Sequence, residues 1–298
     1  MEFSWTANST TPSLKRFLLL HGISHRLWAK QKQIGGRLLL NGHQATPDQT
    51  VADGDVVALQ LPDEAADKTV LISNQPIEVP WFDDHWLVVN KSAGIAAVPG
   101  PSGQTDTVVN RVKGWLITQQ SRNLKPHLIT RLDRDTSGLM LVARDAVVQG
   151  MIAPQVDHHQ LRKDYVALVA GHVMNAHDLI TTPIERVAGQ VARQIAQPGA
   201  GQTAQTEYWV LTRYDHATLV KLRLHTGRTH QIRVHMASMG HPLLGDALYG
   251  GPLDLLTRQA LHASELAFTD PLDGQRHTVT SPLPEDMQMA IQRLSPLK

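Results

Sequence analysis

The stretch "ITRLDRDTSGLMLVARD", residues 129–145, sets Arg131, Asp133, Arg134 and Asp135 immediately before an apolar run. "LMLVA" reads as a buried strand. "DTSG" reads as the turn leading into it, because Asp, Thr and Ser bond their own backbone and glycine accepts positive φ. Two explanations compete for the crowded charges. One is a solvated knot, Arg131 with Asp133 or Arg134 with Asp135, worth about 0–1 kcal/mol. The other is a carboxylate at Asp133, held in a constrained loop and kept ionised by a nearby guanidinium so that it can do chemistry.

The chain around this stretch has 298 residues, long for one domain and comfortable for two. Its hydrophobic content of 42% is enough to build a core, which argues against global disorder. There is no cysteine, so disulfides, thiolate nucleophiles and Cys-ligated metal sites are excluded. The opening "MEFSWTANSTTPSLKRFLLLHG" lacks the basic-then-apolar pattern of a signal peptide, and no run approaches the roughly 20 apolar residues needed to span a bilayer. A cytoplasmic protein without membrane contact is expected, and no pattern suggests an obligate oligomer, so a monomer is expected.

Net charge is only +1, but its distribution is uneven. Residues 3–47 contain no Asp or Glu, while Lys15, Arg16, Arg26, Lys30, Lys32 and Arg37 fall in that window. A basic segment inside a neutral total suggests contact with nucleic acid, against the plainer reading of a solvated helix face. "SLKRFLLLHGI" suits a short helix ending near Gly22, and "SHRLWAKQKQIGG" a second one capped by Ser24, with Leu27 and Ile34 on one face. "RLLLNG" and "DVVALQL" follow as strands. The first unit is therefore placed at residues 13–61, a charged linker at 62–78, and a larger unit at 79–298.

The larger unit alternates strand-like runs ("WLVVN", "GLMLVA", "DYVALVAG", "TEYWVLTRY", "ATLVKLRLHT") with loops and a few helices. This predicts an α+β fold built on a mixed, mostly antiparallel sheet. Its second constellation is "LHTGRTHQIRVHMASMGHPLLGDALYG", residues 224–250. It reads as a strand end, a turn, and a helix with Thr229 as N-cap and Gly240 as its stop. Arg228 precedes that helix, and Arg233 on it is able to aim a guanidinium across a cleft. His225, His230, His235 and His241 recur at intervals of five and six, which does not match the i,i+4 spacing of paired metal ligands on a helix. No metal site is expected.

Taken together, "RLDRDTSGL" and "TGRTHQIRVHM…PLLGDALYG" resemble the RluA-type pseudouridine synthase family. "DDHWLVVNKSAGIAAVPG", "LRKDYVALVAG" and "LHASELAFTDPLDG" add to the resemblance, in order, across nearly all of the larger unit. The first unit, with "GRLLLNG" and "ADGDVVAL", resembles the S4-type (alpha-L) RNA-binding domain. Two positions depart from the family pattern: Thr130 stands where His precedes Arg-Leu-Asp, and Ser92 stands where proline follows Asn-Lys.

The resemblance implies an enzyme that converts uridine in RNA to pseudouridine without a cofactor. It implies Asp133 as the essential carboxylate, Arg233 as its partner, and Tyr165 as the ring against the uracil. Taken on its own residues, Tyr165 reads more simply as a core aromatic. By the same resemblance Arg131, Arg134 and Arg228 meet RNA beside a flipped nucleotide, and Arg16, Arg26, Lys30 and Arg37 meet phosphates elsewhere. Ribosomal RNA is favoured and transfer RNA is the alternative. Two rival classes stand beside this one: a non-catalytic RNA-binding assembly factor, and a metal-dependent transferase using Asp133 and Asp135, which a chelator would inhibit.

Overall fold

The computed structural model of the protein describes residues 1–64, 66–100, 105–187 and 194–297. The strand Ser137–Ala143 is buried at every position, as an uninterrupted apolar run requires. It pairs antiparallel with Trp86–Lys91 and parallel with Leu261–Thr269. The sheet continues through Arg162–Ala170, Ala217–Leu224, Thr206–Arg213 and His177–Ile180 on one side, and Glu78–Phe82 on the other. Arg276–Thr280 and His127–Leu128 are added at its flanks, making ten strands. Only the contact of Ser137–Ala143 with Leu261–Thr269 is parallel, so the expected mixed, mostly antiparallel α+β fold is what forms.

Each face of the sheet has its own core. Val89, Met140, Tyr165, Tyr208 and Leu222 share one with Val112 and Leu116 of helix Val108–Thr118 and with Ile232 and Met236 of helix Gln231–Ser238. Trp86, Leu139 and Leu141 share the other with Val147 and Met151 of helix Ala146–Asp157. The two-residue alternation of the strands sends neighbouring side chains to opposite cores.

Register brings the distant motifs together. Ala263 pairs with Tyr165 on one side and Gly138 on the other, so the turn before Gly138 lies one strand away from Tyr165. Gly138 has φ +114°, and a Cβ there would stand 2.3 Å from the Ala263 carbonyl oxygen. Only glycine admits this approach.

The other face of strand Arg162–Ala170 carries Asp164, whose side chain is 0% exposed. It accepts from Arg162 (2.9 Å), Lys221 (3.0 Å) and Arg223 (2.7 Å). Burial alone would raise its pKa. The bonds from Arg223, Arg162 and Lys221 overcome this and hold it well below the usual carboxylate range.

The first unit differs from expectation in three respects. Strand Glu2–Thr6 pairs with Val56–Gln60, so its four-stranded sheet takes in residues ahead of Ser13. Ser24 caps helix His25–Gln33 as expected, and Ser13 caps helix Leu14–Leu20 in the same way. Ile34, however, is the C-cap of the second helix and is exposed, because the helix ends before its side chain can join the face of Leu27. Of residues 62–78, expected as a linker, the described stretch 66–78 forms a strap. Lys113 donates to the carbonyls of Asp67 and Val70, and Asn110 to that of Leu71, while Glu64 bonds His127 at 2.7 Å. Leu14, Phe17 and Leu18 join the core of Met151, so the first unit is packed on the larger one. Among the described residues no helix is long and apolar enough to cross a membrane.

Two outcomes follow from this packing. Gly138→Ala is expected to destabilise the fold by about 2–4 kcal/mol, from positive-φ strain and overpacking together; an unchanged urea midpoint would show that the close approach is not real. Because the folded Asp164 pKa is lowered, its contribution is complete above the unfolded value of about 4 and is lost as pH falls towards the folded value. Thermal melts should therefore fall away below about pH 4, and this acid limb should be shallower in Asp164→Asn, itself less stable for its three unpaired cations.

Candidate active site

The turn of the opening stretch is tied at its backbone. The Asp133 carbonyl accepts from Thr136 N (3.1 Å), the Arg134 carbonyl from Lys91 Nζ (2.7 Å), and the Asp135 carbonyl from Arg258 Nη1 (3.2 Å). Lys91 is 1% exposed and also donates to the Ser92 and Ile95 carbonyls. Burial pushes its ammonium down to about 7, against the pull of Asp135 and Asp133. Arg258 is in turn held by Asp286 at 2.6 Å. Thr130 has a role here too, since its hydroxyl accepts from Leu141 N at 2.9 Å and so ties the chain ahead of Arg131 to the buried strand.

From this turn the Asp133 carboxylate faces Arg233, whose Nη1 donates to Oδ2 at 3.2 Å. The two residues are 100 apart in sequence. Arg233 is 7% exposed, and its other nitrogens are committed to Asp246: Nε to Oδ2 at 2.7 Å and Nη2 to Oδ1 at 2.9 Å. This side-on fork sets the guanidinium plane and leaves Nη1 aimed at Asp133. Asp246 is 1% exposed. Tyr249, three residues on, lies under the Arg233 guanidinium at 5.0 Å and bonds His230 Nδ1 at 2.9 Å.

Asp133, Tyr165 and Arg233 line one cleft of about 620 Å3. Tyr165 is largely buried, and burial, reinforced by the Asp133 charge, pushes its phenol pKa up, so it is a neutral hydroxyl at neutral pH. Ile232, Leu132, Leu224 and Leu261 supply apolar walls. A cleft with a carboxylate, a neutral phenol and apolar walls is able to hold a flat, uncharged ring beside that carboxylate.

Arg131, Arg134 and Arg228 also line the cleft. Arg131 is exposed and has no ion-pair partner among the described residues. Arg134 is paired with Asp135 at 3.0 Å, so one of the two surface pairs considered from sequence does form. Arg228 is braced by the Thr203 carbonyl at 2.9 Å. Arg16, Arg26, Lys30 and Arg37 lie away from the cleft lining, all exposed on the first unit and without ion-pair partners among the described residues.

Sequence reasoning missed four residues of this site. Asp246 and Tyr249 lie within the quoted "GDALYG" but have no periodic signal, because they come from a loop and a short 3-10 turn. Lys163 lines the cleft, with an ammonium that burial pushes below the ordinary lysine value. Its signal was available, since i,i+2 on a strand puts it on the face of Tyr165. His230, rather than Thr229, is the N-cap of helix Gln231–Ser238. Its φ of +56° turns the chain one residue later than a threonine cap would. The four histidines weighed as a zinc set part company: His225 bonds Glu207, His230 bonds Tyr249, His235 bonds Thr206 and the Thr182 carbonyl, and His241 bonds the Ala170 carbonyl.

Residues 85–238 match the profile of the RNA pseudouridylate synthase family, so the chain belongs to that family and is an isomerase acting on RNA. It is 36% identical over 270 residues to the uncharacterized RNA pseudouridine synthase YjbO of Bacillus subtilis, covering 91% of this chain and 95% of the relative. It is 37% identical over 235 residues to the ribosomal large subunit pseudouridine synthase D of Zymomonas mobilis, covering 74% and 73%. Among solved structures it is similar to human RNA pseudouridylate synthase domain containing 1, with TM-score 0.62 and 25% identity, covering 76% of this chain and 90% of that one.

Asp246→Asn keeps the shape of the buried side chain but loses the charged fork. It is expected to lower the rate of pseudouridine formation by about 10- to 100-fold, the value of a hydrogen bond to a charged group. A thermal melt of the same variant separates this from unfolding; full activity in a folded variant would show that Arg233 does not need its second carboxylate.

Proposed function

We propose that the protein is a monomeric cytoplasmic enzyme that isomerises particular uridines of large-subunit ribosomal RNA, with Asp133 as its essential carboxylate. The observation that carries this is the Arg233 Nη1–Asp133 Oδ2 contact of 3.2 Å, in the cleft that Tyr165 also lines. In the reaction the N1–C1′ bond of uridine breaks, a C5–C1′ bond forms, and the proton leaving C5 is matched by one gained at N1. Asp133 acts either as nucleophile or as base towards a sugar proton, and both routes begin from an ionised carboxylate beside a guanidinium. Tyr165 packs on the uracil and carries its neutral hydroxyl near C5.

The target nucleotide is flipped out of its stack to enter the cleft. Arg131, Arg134, Arg228 and Lys163 meet its neighbouring phosphates. The first unit acts as an S4-type RNA-binding domain, in which exposed Arg16, Arg26, Lys30 and Arg37, without ion-pair partners among the described residues, take up phosphate. Ribosomal RNA is favoured over transfer RNA because relatives such as the Zymomonas mobilis protein are named for the ribosomal large subunit.

The test maps pseudouridines in total RNA from cells lacking the protein, complemented with wild type or with Asp133→Asn. Sites in large-subunit ribosomal RNA are expected to vanish, to return with wild type, and to stay absent with the variant. Sites lost from transfer RNA instead would overturn the substrate choice. No change anywhere would leave the isomerase reading without a substrate and favour a binding role in ribosome assembly.

A further inference from the structure

His230 occupies a backbone conformation that L-residues adopt at a cost, φ +56°, at the mouth of helix Gln231–Ser238. That conformation places its two ring nitrogens between Tyr249 and Asp133. Nδ1 lies 2.9 Å from Tyr249 Oη, and Nε2 lies 3.8 Å from Asp133 Oδ2. The side chain is 14% exposed.

The tautomer follows from the hydrogen bonds. Tyr249 Oη already accepts from Gln194 N at 3.1 Å. The arrangement that leaves no phenolic hydrogen stranded has Tyr249 O–H donating to Nδ1. The imidazole then carries its proton on Nε2, the nitrogen that faces the carboxylate. The opposite tautomer would point a lone pair at Asp133 Oδ2, which is repulsive. The charged or titratable groups around the ring are Asp133, Asp246, Arg233 and Tyr249. Burial, helped by Arg233, outweighs the pull of Asp133 and Asp246 and keeps His230 below its ordinary pKa, so the ring is neutral at neutral pH.

Arg233 and His230 both approach the same oxygen, Oδ2. No hydrogen bond or ion pair engages Oδ1 among the described residues. We propose that His230 is a positioning residue: its Nε2–H, fixed by Tyr249, closes on Asp133 Oδ2 when RNA binds, so that Oδ1 is the oxygen presented to the nucleotide. This rests on the pseudouridine synthase reading of Asp133. It adds a second donor to the Arg233 contact and gives Tyr249 a role at one remove from the reacting atoms.

The test has two arms, both on the full chain. In the first, protein labelled with 15N-histidine is examined by long-range 1H–15N NMR, with His230 assigned by its loss in His230→Gln. A neutral Nε2–H ring is expected in the wild type at pH 7, and a mixture of tautomers in Tyr249→Phe. An Nδ1–H ring or an imidazolium in the wild type would overturn the proposal.

In the second arm, single-turnover pseudouridine formation is followed on total ribosomal RNA from a strain lacking the protein. His230→Leu is expected to slow the step by about 10- to 100-fold at unchanged RNA affinity. His230→Gln, which keeps an N–H within reach of Oδ2, should recover most of the rate, whereas a purely structural role would not distinguish the two. Equal rates for Gln and Leu would overturn the proposal. A wild type that forms no pseudouridine would sink the functional reading and the reaction role with it, while the NMR arm still decides the tautomer.

Discussion

A single buried guanidinium joins the two halves of the site. Arg233 gives its side-on fork to Asp246 and its remaining edge to Asp133. Desolvating such groups costs several kcal/mol per ion, recovered only where the geometry is good and the remaining donors are bonded. The arrangement therefore specifies one geometry rather than simply adding stability. A guanidinium with five fixed donors suits the task, since a lysine in its place would offer a point charge and no plane.

The carboxylate that Arg233 addresses is held from the other side by its own backbone. Three successive carbonyls of the turn are tied to Thr136, Lys91 and Arg258, so the charges crowded into residues 131–135 divide into different duties. Asp133 faces the cleft, Arg134 and Asp135 pair at the surface, and Arg131 stays exposed. The surface pair forms at Arg134 and Asp135, while the Asp133 carboxylate one residue earlier turns into the cleft against Arg233.

The sheet makes this placement reproducible. Ala263 pairs with Gly138 and Tyr165 on its two sides, and a slip of one residue would turn Tyr165 away from the cleft. On the opposite face Asp164 gathers three cations from two strands, which pins the same register from behind. The first unit packs closely on helix Ala146–Asp157: a Cβ on Gly150 would stand 2.6 Å from Leu27 Cδ2. Its basic residues are thus carried on a body docked to the cleft domain rather than on a loose tether.

Local chemistry was legible in the sequence alone. Apolar and strand-like runs located the main strands, a glycine stop and the Ser24 cap marked the first two helices, and ordered motifs singled out Asp133, Tyr165 and Arg233, which the fold brings to one cleft. These features depend on neighbours within a few positions, which is the range over which period and capping act. What reaches across the chain was not legible. Strand Glu2–Thr6 exists because Val56–Gln60 offers it an edge, residues 67–71 are tied down because Asn110 and Lys113 take their carbonyls, and Ile34 is exposed because its helix ends before it can join a face. Asp246 and His230 acquire their meaning only when strand register brings residues a hundred positions apart within hydrogen-bonding range. The sequence by itself determined which side chains are available and on which face of each element they stand. The tertiary structure decided which oxygen of Asp133 is engaged and which, among the described residues, has no partner, because a hydrogen bond is set by distance and angle between elements that only packing brings together.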